Sequence, residues 1–157
     1  MSQAIIPILG AGESGIGAAR LALRHGLMPW VSDRGEIAPE RAAELTALNI
    51  EFENGQHDES RIMEAGKASG FVIKSPGIPE QAALIQSMRA AGIEVISEIE
   101  FAARFARTHD QRIVAITGAN GKTTTTALVA AILQDAGCDV ACVGNIGTSW
   151  ARDLSER

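Results

Sequence analysis

Short β-rich apolar runs alternate along this chain with longer stretches in which apolar residues recur at helical spacing. The runs predict strands at 4–9, 28–32, 49–53, 70–74, 93–96, 112–117 and 139–143. Helices are predicted over 14–25, 39–48, 58–66, 80–91, 97–107 and 122–136. Strand and helix alternating in this way describe βα units stacked into a parallel sheet, so the expected class is α/β. Pro7 resists the scheme, because it falls inside the first predicted strand and has no N–H to donate to a ladder. The polar stretch RFARTHDQR closes the fifth βα unit, which places a domain boundary near 106–111. Residues 1–107 then form one Rossmann-like domain, and 112–157 supply the first βαβ unit of another. A unit of two parallel strands cannot cover both of its faces, so the chain reads as a fragment open to self-association.

Composition narrows the class. With 157 residues, 46% hydrophobic and 21% charged, the chain is long enough for one full core. Fourteen Lys and Arg against 19 Asp and Glu give a net charge of −5, which leaves no summed positive field to hold nucleic acid. No uncharged run approaches a membrane span and MSQAIIPILG lacks a basic leader, so a cytoplasmic protein is expected. Cys138 and Cys142 lie four residues apart in an apolar run that reads as extended, and strand rise would separate them by about 13 Å. A disulfide needs Cα atoms within roughly 7 Å, so both are expected as reduced, buried thiols.

Two glycine loops carry the chemistry. Gly10, Gly12 and Gly15 match G-x-G-x-x-G between a strand and a helix. The first permits a tight turn, the second lets phosphates approach the backbone, and the third lets helix pack on strand. Free amides at the helix start favour a diphosphate, and Asp33 at the end of the second strand is placed to accept from a ribose or a base. By motif alone the simplest occupant is NAD, as part of an oxidoreductase module; a glycine turn with no ligand is the plainer alternative.

The second loop, RIVAITGANGKTTTT over 112–126, runs from a predicted strand into a helix. Its amides around Gly118 to Gly121 would cradle phosphate oxygens, the Lys122 ammonium would reach the β- and γ-phosphates, and the Thr123 hydroxyl would meet Mg²⁺. It is a variant P-loop, since Ile116 stands where the strict pattern has glycine. His25, His57 and His109 have no partner at a telling spacing and read as surface residues, and Glu94, Glu98 and Glu100 read as a solvated face. Trp30 is expected in the core, and Trp150 in a polar tail.

TGANGKTTTT also resembles the ATP loop of the Mur ligases, whose pattern is close to TG-x-NGK-[TS]-T. GAGESG (10–15), VSD (31–33), KSPGIP (74–79), SEIEF (97–101) and GNIG (144–147) together look like the D-glutamate-adding branch of that family, along the whole chain. The resemblance implies a ligase of peptidoglycan precursor synthesis that joins D-glutamate to UDP-N-acetylmuramoyl-L-alanine through an acyl phosphate, using ATP and Mg²⁺. It implies that ATP meets Gly118, Ala119, Asn120, Gly121, Lys122, Thr123 and Thr124, with Lys122 catalytic and Thr123 toward the metal. The UDP-substrate would meet Gly12, Glu13, Ser14, Asp33, Arg34, Ser75 and Asn145. The rest of such an active site would lie beyond Arg157, so ligation by these residues alone is not expected, and the whole ligase is expected as a monomer. A Mur-type ligase adding L-alanine remains a second possibility at this point.

Overall fold

The computed structural model describes residues 4–106, 112–144 and 147–157. Its centre is a five-stranded parallel sheet in the order β3-β2-β1-β4-β5. The strands are β1 (Ile5–Leu9), β2 (Met28–Ser32), β3 (Glu51–Glu53), β4 (Phe71–Lys74) and β5 (Glu94–Ser97). Between and after them run α1 (Glu13–Arg24), α2 (Pro39–Ala47), α3 (Glu59–Ser69), α4 (Ala83–Ala90) and α5 (Glu98–Ala106). The chain steps outward from β1 through β2 to β3, then crosses to build β4 and β5 on the other side. That reversal puts a crevice at the carboxyl ends of β1 and β4, where α/β sheets bind ligands.

Each strand sends alternate residues to opposite faces. Ile6 and Ile8 of β1 join Val31, Ile73 and Ile96 under α1, α2 and α5, with Ile16, Leu21, Leu45 and Phe101 buried there. Leu9, Trp30 and Val72 face the other way, onto Ile62 of α3 and Ile85 and Met88 of α4. Trp30 is in the core as expected. Pro7 finds its accommodation in register: β1 pairs with β4 only at Ile8↔Ile73 and Leu9↔Lys74, so the ladder on that side starts just after the residue that lacks a donor.

After α5 the structure departs from the expected βαβ unit. Residues 112–117 form no ladder, and Ile113 and Val114 are 56% and 62% exposed. Residues 139–143 form no strand either, Val143 making a single parallel bridge to Thr148. A strand exists through its partner's hydrogen bonds, and neither segment has a described neighbour to supply them. The helix between them does form, as α6 (Lys122–Asp135). Cys138 is exposed and Cys142 half-buried, both free, which corrects the expectation of two buried thiols.

The supposed polar tail is a helix, α7 (Trp150–Glu156), capped by the Ser149 hydroxyl, which accepts from the Arg152 amide. It lies against α1 and α5, burying Ala151 and Leu154, with Trp150 packed at the edge of the same core. Close approach depends on Gly17, where a Cβ would collide with the Ser149 hydroxyl.

Candidate functional site

At the crevice, every lining residue follows the end of a strand or opens a helix. β1 runs into Gly10, whose φ of +95° makes the turn at no steric cost. The Gly10 amide donates to the Ser32 carbonyl at 2.8 Å and the Ser75 amide to the Leu9 carbonyl at 2.9 Å, so three strand ends converge on this turn. Gly12 is the N-cap of α1 and offers no side chain to its first amides, and the first helical bond runs from the Ile16 amide to the Gly12 carbonyl. The amides of the opening turn are therefore available to an anion. A Cβ at Gly12 would meet nothing within 4 Å, whereas one at Gly15 would collide with the Gly10 carbonyl oxygen. The two glycines serve different ends: one leaves the crevice open, and the other lets α1 sit on the turn.

Together Gly10, Gly12, Glu13 and Ser14, then Asp33, Arg34 and His57, then Ser75 to Ile78 enclose a cleft of about 360 Å³. The structure thus brings together Gly12, Glu13, Ser14, Asp33, Arg34 and Ser75 of the expected substrate set; Asn145 lies outside the described residues. Asp33 also has a local task. Its Oδ2 accepts from the Ala11 amide at 2.6 Å and its Oδ1 from the Gly35 amide at 2.8 Å, which ties the glycine turn to the end of β2. Lys74, 8% exposed at the end of β4, donates to the Ile78 carbonyl and pairs with Glu80, fixing the loop that forms the opposite wall.

One residue lining this site, and another that bonds to its wall, carry no site signal in the sequence. His57 was read as a surface histidine, yet it lines the cleft, with Nδ1 2.7 Å from the Ser32 hydroxyl. Its place just past β3, at the binding edge of a parallel sheet, is the signal that could have marked it. Arg152 of α7 donates from Nε to Glu13 at 2.8 Å and from Nη1 to Glu44 at 2.7 Å. Its hydrogen bond holds the Glu44 carboxyl below its usual range, and the same pairing raises the guanidinium further above its own. Glu98 also departs from the sequence reading: it is 3% exposed rather than solvated, its Oε1 accepts from the Ala151 amide at 2.5 Å, and burial pushes its carboxyl up.

The second loop stands apart and is exposed. Gly118 and Gly121 take φ of +154° and +75°, and the Lys122 ammonium folds back to the carbonyls of Gly118 and Ala119 at 2.5 and 3.2 Å. Gly121 caps α6 without a side-chain bond, and Thr123 and Thr124 are exposed in its first turn. Among the described residues no group of three or more His, Cys, Asp or Glu could hold a metal ion, and no helix is long and apolar enough to cross a membrane.

Comparison with known proteins gives two family matches: the Mur ligase MurD-like N-terminal domain over residues 4–97, and the Mur ligase middle domain over 116–156. Among curated relatives, the UDP-N-acetylmuramoylalanine–D-glutamate ligase of Porphyromonas gingivalis is 49% identical over 150 residues, covering 96% of this chain and 32% of its own length. That of Cytophaga hutchinsonii is 49% identical over 154 residues, covering 98% and 33%. The chain thus spans about a third of the length of these relatives. Among solved structures, a murein peptide ligase from Psychrobacter arcticus superposes with a TM-score of 0.55 at 26% identity, over 85% of this chain and 27% of that one. The UDP-N-acetylmuramate–alanine ligase of Thermotoga maritima gives 0.52 at 25% identity, over 84% and 29%.

Proposed function

The chain belongs to the Mur ligase family, and from that premise we propose that it is the substrate-carrier portion of a ligase adding D-glutamate to UDP-N-acetylmuramoyl-L-alanine. In this reading residues 1–107 hold the uridine-diphosphate end of the substrate and 112–157 begin the ATP-binding unit. The observation that supports it most is the cleft itself: uncapped amides opening α1, beside Asp33, Arg34 and Ser75 at adjoining strand ends. The main-chain N–H groups of Glu13 and Ser14 would bind the diphosphate, the helix dipole adding to their pull. Asp33, Arg34 and Ser75 would surround the uridine, and Asn145 would reach the substrate from the second unit.

The second loop suits a triphosphate by its donors. Lys122 already lies across the loop, within reach of the carbonyls of Gly118 and Ala119, so a bound anion would have a cation waiting at the turn. Amides of Gly118, Ala119, Asn120 and Gly121 would complete the cradle, with Thr124 beside it and the Thr123 hydroxyl toward Mg²⁺. ATP with Mg²⁺ would supply the phosphoryl group that activates the substrate carboxylate for attack by the D-glutamate amine. Lys122 would hold the phosphates and neutralise charge that grows on the group in transfer.

Titration of the chain with UDP and, separately, with NADH tests the carrier reading. A saturable heat of UDP binding with no response to NADH is expected. Tight NADH binding without UDP binding would overturn it in favour of a dinucleotide module.

A further inference from the structure

His57 is the one histidine in the cleft, and hydrogen positions around it follow from counting protons. Ser32 is fully buried and its hydroxyl has a single hydrogen. It lies 2.6 Å from Glu53 Oε1, which also accepts from the Asp58 amide at 2.9 Å. A carboxylate can only accept, so the serine hydrogen points at Glu53. The 2.7 Å contact between the same hydroxyl and His57 Nδ1 must then carry its hydrogen on the imidazole. A neutral histidine protonated at Nδ1 leaves Nε2 as a bare lone pair. No described residue hydrogen-bonds Nε2, and the ring lines the cleft beside Asp33 and Arg34.

Resting on the carrier reading above, we propose that His57 is a specificity-determining residue of this cleft, its Nε2 accepting a hydrogen bond from a donor at the nucleoside end of the ligand. Two donors share that chemistry: the imide N–H of uracil and a ribose hydroxyl. Each oxygen of Asp33 already takes one backbone amide, so part of its accepting capacity holds the turn, whereas Nε2 is an acceptor with no described partner. The Ser32–Glu53 pair fixes the tautomer, and so sets which kind of group the cleft admits. A base bearing an unprotonated nitrogen where uracil has N–H would put lone pair against lone pair, a mismatch that costs more than a missing contact.

Calorimetric titration of the chain with UDP, repeated on His57→Phe and His57→Gln, reads this directly. About a tenfold loss of affinity is expected for phenylalanine, and a smaller loss for glutamine, whose amide oxygen can accept. Repeating the titrations with 3-methyluridine diphosphate and with 2′- and 3′-deoxy-UDP separates the donors: the analogue that loses affinity on the parent chain but little more on His57→Phe has lost the partner of Nε2. Nitrogen NMR of the unsubstituted chain should show the Nδ1-protonated tautomer, a readout that does not depend on a variant folding. UDP binding unchanged in His57→Phe, the opposite tautomer, or no analogue coupled to His57 would each overturn the assignment while leaving the carrier reading intact. Absence of UDP binding by the parent chain would overturn both.

Discussion

Gly12 and Gly15 belong to one motif, yet a side chain at the first would project into open space and at the second would strike backbone. Gly12→Val is expected to weaken UDP binding tenfold or more, with a stability loss limited to about 1 kcal/mol from a poorer helix cap. Gly15→Val should destabilise by at least about 2 kcal/mol because the Gly10 carbonyl cannot give way without moving β1. Titration and thermal melts of both variants check the pair, and equal effects on folding would contradict the division. Glu98 gives a pH prediction. Burial raises its folded-state pKa above the ordinary 4.5, so the native state holds the proton more tightly than the unfolded chain. This group's contribution to stability is therefore most favourable below about 4.5 and declines as pH rises through its raised folded value. Glu98→Gln keeps an acceptor for the Ala151 amide and removes the charge. Its melting temperature should exceed the parent's at neutral pH and converge with it in acid; a lower value at neutral pH would refute the assignment.

Helix α7 is short, and its placement depends on tertiary partners. Arg152, its side chain 16% exposed, sits between Glu13 of α1 and Glu44 of α2, and Glu98 of α5 takes the Ala151 amide. Arg152→Ala would remove the cation the two carboxylates share, leaving Arg20 on Glu44 and freeing Glu13 at the cleft. Hydrogen exchange over 149–157 should quicken about tenfold, and UDP affinity should fall severalfold, more at low salt than at high. Exchange unchanged from the parent would show that apolar packing alone holds the helix. At α6 the situation is reversed: Leu128 and Ile132 are 60% and 59% exposed, so little buried area protects it. Amides of 122–135 should therefore exchange well before those of β1, β2 and β4.

Over the whole molecule, the cleft at the ends of β1 and β4 is assembled by the five-stranded sheet and the second loop by a turn and one helix. The proposed ligand sites should separate accordingly. Lys122→Ala should abolish ATP binding by the chain and ATP turnover in a full-length ligase carrying the substitution, while UDP titrates as in the parent. Loss of both affinities together would mean that the two loops form one site.

Much of the first unit was legible along the chain because its determinants are local. Short β-rich runs between turns marked β1 to β5, and the spacing of Gly10, Gly12 and Gly15 between strand and helix marked the crevice. Turn chemistry and side-chain periodicity act within a few residues, so the sequence alone determined the α/β class, the succession of βα units and the position of both glycine loops. Tertiary structure decided what depends on neighbours distant in the chain. Residues 112–117 have the composition of a strand but no described ladder partner, and Trp150 to Glu156 became a docked helix because α1 and α5 offer it a surface. Likewise the proton on His57 is placed by Ser32 and Glu53, which only the pairing of β2 with β3 brings beside it. Hydrogen-bond ladders, packed faces and tautomers are properties of pairs, and the fold, not the local pattern, chooses the pairs.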